Sequence, residues 1–290
     1  MQPIIKLIRP HQYIKNGFVL VGPLFAEQWD LLTLGQALLA FVAFCLMASA
    51  VYVLNDIMDI EADHAHPVKR SRPLPSGAIS MPLAYGLLAG LFIASVAISL
   101  TVSFWVLGCV AVYFAINILY SWRLKHVVIL DVFLISSGFM LRILAGTLGL
   151  GIEPSAWLLL CGLMLTLFLG FAKRRAELLL LADQDVSQQG MTRRVLDDYS
   201  PRVLEQFIAV TAACTILAYG LYTVSPQTIA LHGSEHLIYT LPFVIYGIFR
   251  YLYLLHGQGR GNDTARDLMQ DRHLLITVVL WLGVTLWVLL

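Results

Sequence analysis

Apolar runs of about 20 residues recur from one end of this chain to the other with only short connections between them, and that is the length a helix needs to cross a hydrocarbon layer of about 30 Å. Inside lipid every backbone N–H and C=O must be paired within the protein, so runs of this length and spacing specify a helical bundle. The composition agrees. Hydrophobic residues make up 59% and charged residues 13% of the chain, and the mean hydropathy is +0.77, against about 45–50% apolar and about 25% charged residues in soluble domains. The expected fold is therefore an all-α integral membrane protein, a single transmembrane domain over residues 1–290.

Reading apolar runs between polar, Gly or Pro boundaries places about nine spans near 13–26, 33–54, 79–101, 104–121, 127–149, 154–182, 202–224, 237–256 and 272–290. Lys15, Asn16 and Pro23 interrupt the first. The opening MQPIIKLIRPHQYIKN carries cations but no small-residue cleavage site behind a clean apolar core, and reads as an interfacial amphipathic helix rather than a signal peptide. Cys45, Cys109, Cys161 and Cys214 stand far apart inside apolar runs, without the spacing of a zinc site or a disulfide framework. A formal net charge of +1 gives no basic excess for a nucleic-acid partner.

The placement of charge says more than its total. Counted from an inside N-terminus, the even connections and helix ends hold Lys69, Arg70, Arg72, Arg123, Lys125, Lys173, Arg174, Arg175, Arg193, Arg194, Arg202, Arg250, Arg260, Arg266 and Arg272, and the odd ones hold no Lys or Arg. By the positive-inside rule the even side and the N-terminus are cytoplasmic, which implies a multi-pass protein of the cytoplasmic (inner) membrane. Most acids lie on the same side, although orientation does not require them there. A dense mixed-charge face is thus a candidate site.

At that face stands Asn55-Asp56-Ile-Met-Asp59-Ile-Glu-Ala-Asp63. On one helix this spacing aligns the three Asp side chains. Such hard oxygen donors suit Mg²⁺, which keeps waters and is usually completed by substrate phosphates. Lys69, Arg70 and Arg72 follow at once, with prolines at 67, 73 and 75 expected to stop the helix and return the cations in an extended segment towards the acids. His64 and His66 are expected to be loop or phosphate-shell residues rather than zinc ligands. A second cluster, Lys173, Arg174, Arg175 and Glu177, closes the sixth span ahead of Asp197-Asp198, and it reads either as a snorkelling helix end or as a binding surface. A third, Asn262-Asp263 to Asp271-Arg272, alone reads as a solvated helix start. Arg142 falls inside a span, where a guanidinium costs about 2.5–3.5 kcal/mol, so it must face protein, water or an anion. Asp131 is eleven residues away on the same helix, about 16 Å, and out of direct reach. Structural hydrogen bonding and substrate-phosphate binding both remain open for Arg142.

Together these residues resemble the UbiA-type intramembrane prenyltransferase superfamily over essentially the whole chain. Its NDxxDxxxD pattern is met by Asn55, Asp56, Asp59 and Asp63, followed by RPLPSG from Arg72 to Gly77. RPHQYIKN, YSWRLKHVVILD, GFMLRILAG and AKRRAEL are similar to the decaprenyl-phosphate phosphoribosyltransferase branch. The second DxxxD-type motif usual in aromatic-prenylating members is replaced here by Lys173, Arg174, Glu177 and Asp197-Asp198. The resemblance implies a nine-helix bundle with a cytoplasmic polar cap and a cavity opening to lipid. It further implies transfer of a phosphoribosyl group from phosphoribosyl pyrophosphate to a polyprenyl phosphate, giving a precursor of cell-wall polysaccharide, with Asp56, Asp59 and Asp63 catalytic through Mg²⁺. Lys15, Asn16, Asn55, Lys69, Arg70, Arg72, Lys125, Arg142, Lys173, Arg174 and Glu177 are the expected substrate-binding set. A homo-oligomer is compatible with all of this.

Two other functions compete. An aromatic prenyltransferase shares the first motif but takes the diphosphate on its lipid donor. A transporter would place charges within several spans or break helices in paired halves, whereas the charges here gather at one face.

Overall fold

The computed structural model describes residues 3–65, 69–182, 198–257, 261 and 264–290. Among the described residues the structure is helical, and eight helices are long and apolar enough to cross a membrane. The chain divides into two compact units, Met1–Glu153 and Pro154–Leu290.

The first unit opens with α1 (Pro3–Ile8), a 3-10 run (Pro10–Leu20) and α2 (Val21–Phe25). The expected first span falls on this 3-10 run and α2, which are not among those eight, so eight long spans stand against the about nine expected. Then come α3 (Leu31–Met58), α4 (Ile60–Ala65), α5 (Met81–Val102), α6 (Phe104–Trp122) and α7 (Leu130–Gly146). Asp30 caps α3 by accepting from the Leu32 and Thr33 amides at 3.0 Å each. These bonds, with the Thr33 hydroxyl first among them, hold its carboxyl below the usual carboxylate range. The 28 residues of α3 extend over about 42 Å, more than the apolar layer requires, so the helix must tilt or carry its acidic end beyond it.

Packing around α3 depends on small side chains, since lipid supplies no hydrophobic drive between helices. Ala37, Ala40, Ala43 and Ala50 are buried on α3, and Ser95 of α5 donates to the Ala43 carbonyl at 2.7 Å. Ser103 ends α5 and begins α6, accepting from the Val106 amide at 3.2 Å and donating to the Gly149 carbonyl at 2.7 Å. A close backbone approach joins the N-terminal segment to α7. A Cβ on Gly146 would lie 1.8 Å from the Val19 carbonyl oxygen, and one on Gly22 would lie 2.0 Å from that of Gly146.

The second unit contains α8 (Ala156–Ala182), α9 (Pro201–Thr223), α10 (Pro226–His232), α11 (Leu241–Gly257), α12 (Thr264–Gln270) and α13 (Arg272–Leu289). Ser225 caps α10, accepting from the Thr228 amide at 3.2 Å. A buried hydroxyl pair, Tyr219 and Thr240 at 2.6 Å, is extended by the Trp281 indole donating to Tyr219 at 2.9 Å, which ties α9 to α13.

Gly146→Ala should therefore force the 3-10 run off α7. Overpacking of this kind costs about 1–3 kcal/mol, and the thermal midpoint in detergent should fall, whereas Gly35→Ala, which meets nothing within 4 Å, should leave it unchanged.

Candidate active site

In the first unit the end of α3, the starts of α5 and α7 and the end of α6 share one side by connectivity, and the acidic motif lies there. Helix α3 stops at Met58, Asp59 takes φ −95° and ψ 8°, and α4 resumes at Ile60. The motif is thus not one uninterrupted helix with three aligned acids. Its hydrogen bonds still run through the break: the Asp59 amide donates to Asn55 at 2.9 Å and the Asp63 amide to Asp59 at 2.8 Å. Asp56 and Asp63, each 2% exposed, consequently keep a common face, while Asp59 turns aside to Lys125 at 3.4 Å. Three carboxylates on one face would repel one another at the C-terminal, negative end of a helix, and Asp59 instead lies against a separate cation, Lys125.

Asp56 and Asp63 converge on a single guanidinium nitrogen. Arg72 donates through Nη1 to Asp63 at 2.7 Å and to Asp56 at 3.3 Å. Arg72 reaches them because the Pro73–Gly77 stretch coils through tight turns, not the extended return expected of its prolines: the Ser76 amide donates to Arg72 at 3.0 Å and the Ile79 amide to Pro73 at 3.1 Å. Gly77 supplies the left-handed φ of 73°. Pro67 and His66 lie outside the described residues, and His64 is exposed. Lys69 and Arg70 are also exposed, on a short 3-10 turn.

A second guanidinium, absent from the expected site, completes the cluster. Arg9 donates through Nη2 to Asp56 at 2.5 Å and lies 4.9 Å from the centre of the Tyr52 ring. Its only sequence signals are its place in RPHQYIKN and among the N-terminal cations. Ser121 is another unanticipated partner, donating to the Asn55 side chain at 2.6 Å and orienting its amide.

Arg142 and Asn16 meet in the interior of this unit. Arg142 donates to the Asn16 side-chain oxygen and to the Gly138 carbonyl, both at 2.7 Å, and its guanidinium lies 4.6 Å from the Tyr113 ring centre and 5.3 Å from that of Phe44. Asn16 in turn donates to the Cys45 sulfur at 3.1 Å. Among the described residues no carboxylate pairs with Arg142. Lys15 is half-buried beside Asn16.

In the second unit Lys173 pairs with Glu177 at 3.8 Å, and Arg174, fully buried, donates to the same Glu177. Arg175 bonds Glu205 at 3.0 Å and the Leu255 carbonyl at 3.4 Å, so it ties α8 to α9 and α11. Asp197, Asn262 and Asp263 lie outside the described residues. Arg250 donates to Asp271 at 2.8 Å, and this bond holds the Asp271 carboxyl down at about 2, while Asp271 caps α13 by accepting from Leu274 at 2.9 Å.

Among the described residues no three His, Cys, Asp or Glu side chains enclose a metal position. The donor set nevertheless fits Mg²⁺, which is commonly held by one or two carboxylates with substrate phosphates and water rather than by an all-protein cage. One Arg72 nitrogen within hydrogen-bonding distance of both Asp56 and Asp63 marks where their oxygens share a cation.

Apolar helices closed by buried carboxylates and guanidinium groups define a multi-pass membrane protein with an ionic site. The chain belongs to the UbiA prenyltransferase family, whose sequence model matches residues 17–276. It is 35% identical to the decaprenyl-phosphate phosphoribosyltransferase of Mycolicibacterium smegmatis over 97% of this chain and 90% of that protein. The enzyme of the same name from Corynebacterium glutamicum is also 35% identical, over 96% and 84%. In fold, the chain is similar to a UbiA homolog from Archaeoglobus fulgidus bound to GPP and Mg²⁺, with a TM-score of 0.74 at 15% identity over 99% of both chains. A solved digeranylgeranylglyceryl phosphate synthase structure gives 0.67 at 21% over 99% and 98%.

Two outcomes are expected from this geometry. Arg142→Leu leaves the buried Asn16 side-chain oxygen without its donor, at about 1–3 kcal/mol, and should lower yield and thermal midpoint. For Asp271, the folded carboxyl stays ionised down to about 2 while the unfolded one titrates near 3.9. Its contribution is complete above the unfolded value and is lost as pH falls through the folded one, so amides in the first turn of α13 should exchange faster across that interval.

Proposed function

We propose that the chain transfers the 5-phosphoribosyl group of phosphoribosyl pyrophosphate to a polyprenyl phosphate of decaprenyl type and releases pyrophosphate. The observation that carries this reading is the 35% identity with decaprenyl-phosphate phosphoribosyltransferases over nearly the full chain, together with the buried Asp56–Asp63 pair that converges on one cation position. An acceptor phosphate oxygen attacks the ribose C1 as the C1–pyrophosphate bond breaks. That oxygen is already anionic at neutral pH, so no side chain need remove a proton. Bound Mg²⁺ would neutralise charge developing on the departing pyrophosphate.

Asp56 and Asp63 are assigned as its carboxylate ligands, with Asp59 beside them held by Lys125. Lys15, Lys69, Arg70, Arg72 and Lys125 are the cations of the first unit for donor phosphates, and Asn55, oriented by Ser121, offers its amide to the same end. Lys173, Arg174 and Glu177 form a further candidate substrate-binding cluster on α8. Arg142 and Asn16 are given the structural part. The acidic end of α3 faces the cytoplasm of the inner membrane, as the cation sorting supports, and both units belong to one transmembrane domain, as the match across 17–276 supports.

Purified protein given labelled phosphoribosyl pyrophosphate, decaprenyl phosphate and Mg²⁺ should form decaprenyl-phosphoryl-ribose 5-phosphate and pyrophosphate. Chelation should stop the reaction. Asp56→Asn and Asp63→Asn should each reduce turnover by about 10²–10³-fold, the scale of losing one electrostatic stabiliser of the departing charge, while the proteins still insert. Prenylation of a hydroxybenzoate from a polyprenyl diphosphate, with phosphoribosyl pyrophosphate ignored, would overturn the donor assignment. For orientation, in a background without native cysteines, Gln227→Cys should react with an impermeant thiol reagent outside intact cells and Ser76→Cys should not.

A further inference from the structure

Arg9 is the cluster's least anticipated member. Asp56 and Asp63 are each 2% exposed, yet the guanidinium-bearing side chains that meet them are 24% exposed for Arg9 and 33% for Arg72. The two arginines therefore cap the two acids on their accessible side. Two negative and two positive charges balance, so the cluster has no excess negative charge with which to attract a free divalent cation. A cation arriving alone would have to displace guanidinium groups from buried carboxylates and leave them without a partner. A cation arriving with a diphosphate brings the anionic oxygens those guanidiniums need, and the planar guanidinium fork fits carboxylate and phosphate alike.

The local structure suits Arg9 to such an exchange. Its backbone is fixed at φ 52° and ψ 56°, the left-handed region, by its amide donating to Ile5 at 3.2 Å and the Gln12 amide donating to its carbonyl at 3.0 Å. A non-glycine residue persists there only when its surroundings impose it, and such positions cluster at functional sites. The side chain is free of this constraint. It rests on the Tyr52 ring, whose face holds a cation by position rather than by a directed bond.

We infer that Arg9 is a donor-binding residue that serves as a placeholder: it neutralises Asp56 in the absence of donor and passes to the donor's diphosphate when a divalent cation takes its place. With Arg72 doing the same at Asp63, metal capture becomes conditional on the diphosphate. The inference rests on the metal-ligand reading of Asp56 and Asp63 above.

Binding of Mn²⁺ to the purified full chain, read by electron paramagnetic resonance with and without inorganic pyrophosphate, tests it. Wild-type protein should bind Mn²⁺ weakly alone and at least about tenfold more tightly with pyrophosphate, the scale of one charge-assisted hydrogen bond. Arg9→Gly, whose backbone accepts the left-handed conformation, should bind Mn²⁺ alone about tenfold more tightly and lose most of the pyrophosphate enhancement. Arg9→Lys, which restores the charge, should return the weak binding of Mn²⁺ alone. Tight Mn²⁺ binding by wild type without pyrophosphate overturns the inference, as does an Arg9→Gly variant unchanged in both measurements. If Arg9→Gly is not recovered folded, Arg9→Gln, which removes the charge, carries the same comparison. Inorganic pyrophosphate is common to either donor, so a positive result stands even if phosphoribosyl pyrophosphate proves not to be the substrate. Turnover of that donor with tight metal binding in its absence removes only the placeholder.

Discussion

Two buried carboxylates at the end of an apolar helix are tolerable only because guanidinium groups meet them, and the first unit is arranged around that requirement. An unpaired charge in such surroundings would cost several kcal/mol. Arg9 comes from the junction between α1 and the 3-10 run, and Arg72 from the loop after α4. Ion pairing thus brings two separate stretches of chain to the same end of α3. Asp59, turned away by the break in the helix, recruits Lys125 and with it the connection from α6 to α7.

Elsewhere in this unit, close backbone approach replaces the hydrophobic drive that lipid removes. Gly22 and Gly146 let the N-terminal segment lie against α7 at distances a methyl group would forbid. That contact carries Asn16 to Arg142, and Asn16 divides its amide between the guanidinium and Cys45. The interior guanidinium is held by neutral hydrogen-bond acceptors and aromatic faces, and no carboxylate among the described residues pairs with it. The second unit uses the same devices with other residues: Arg175 links three helices, and Asp271 serves at once as helix cap and counter-ion of Arg250.

Hydropathy alone exposed the spans, because lipid forces each crossing to satisfy its own backbone and so writes it as one continuous apolar run. The eight long helices follow that pattern within a few residues at most ends. The run at 13–26 also showed as helical but not as 3-10 geometry, nor as a segment whose Val19 and Gly22 lie against Gly146, more than a hundred residues away. The acidic motif, its downstream cations and the family were legible because they are local words in the chain. The break at Asp59 was not, since helical spacing alone carries one face through Asp56, Asp59 and Asp63.

Sequence by itself determined a polytopic helical membrane protein and the carboxylates of its ionic end, both of which depend on residue type and short-range order. Tertiary structure decided the partners. Arg9 rather than Lys69 or Arg70 meets Asp56, Ser121 orients Asn55, and Asn16 turns inward to Arg142. These are pairings between stretches far apart in the chain, and a side chain's charge states only that a partner is needed, whereas the packing of helices determines which one comes within reach.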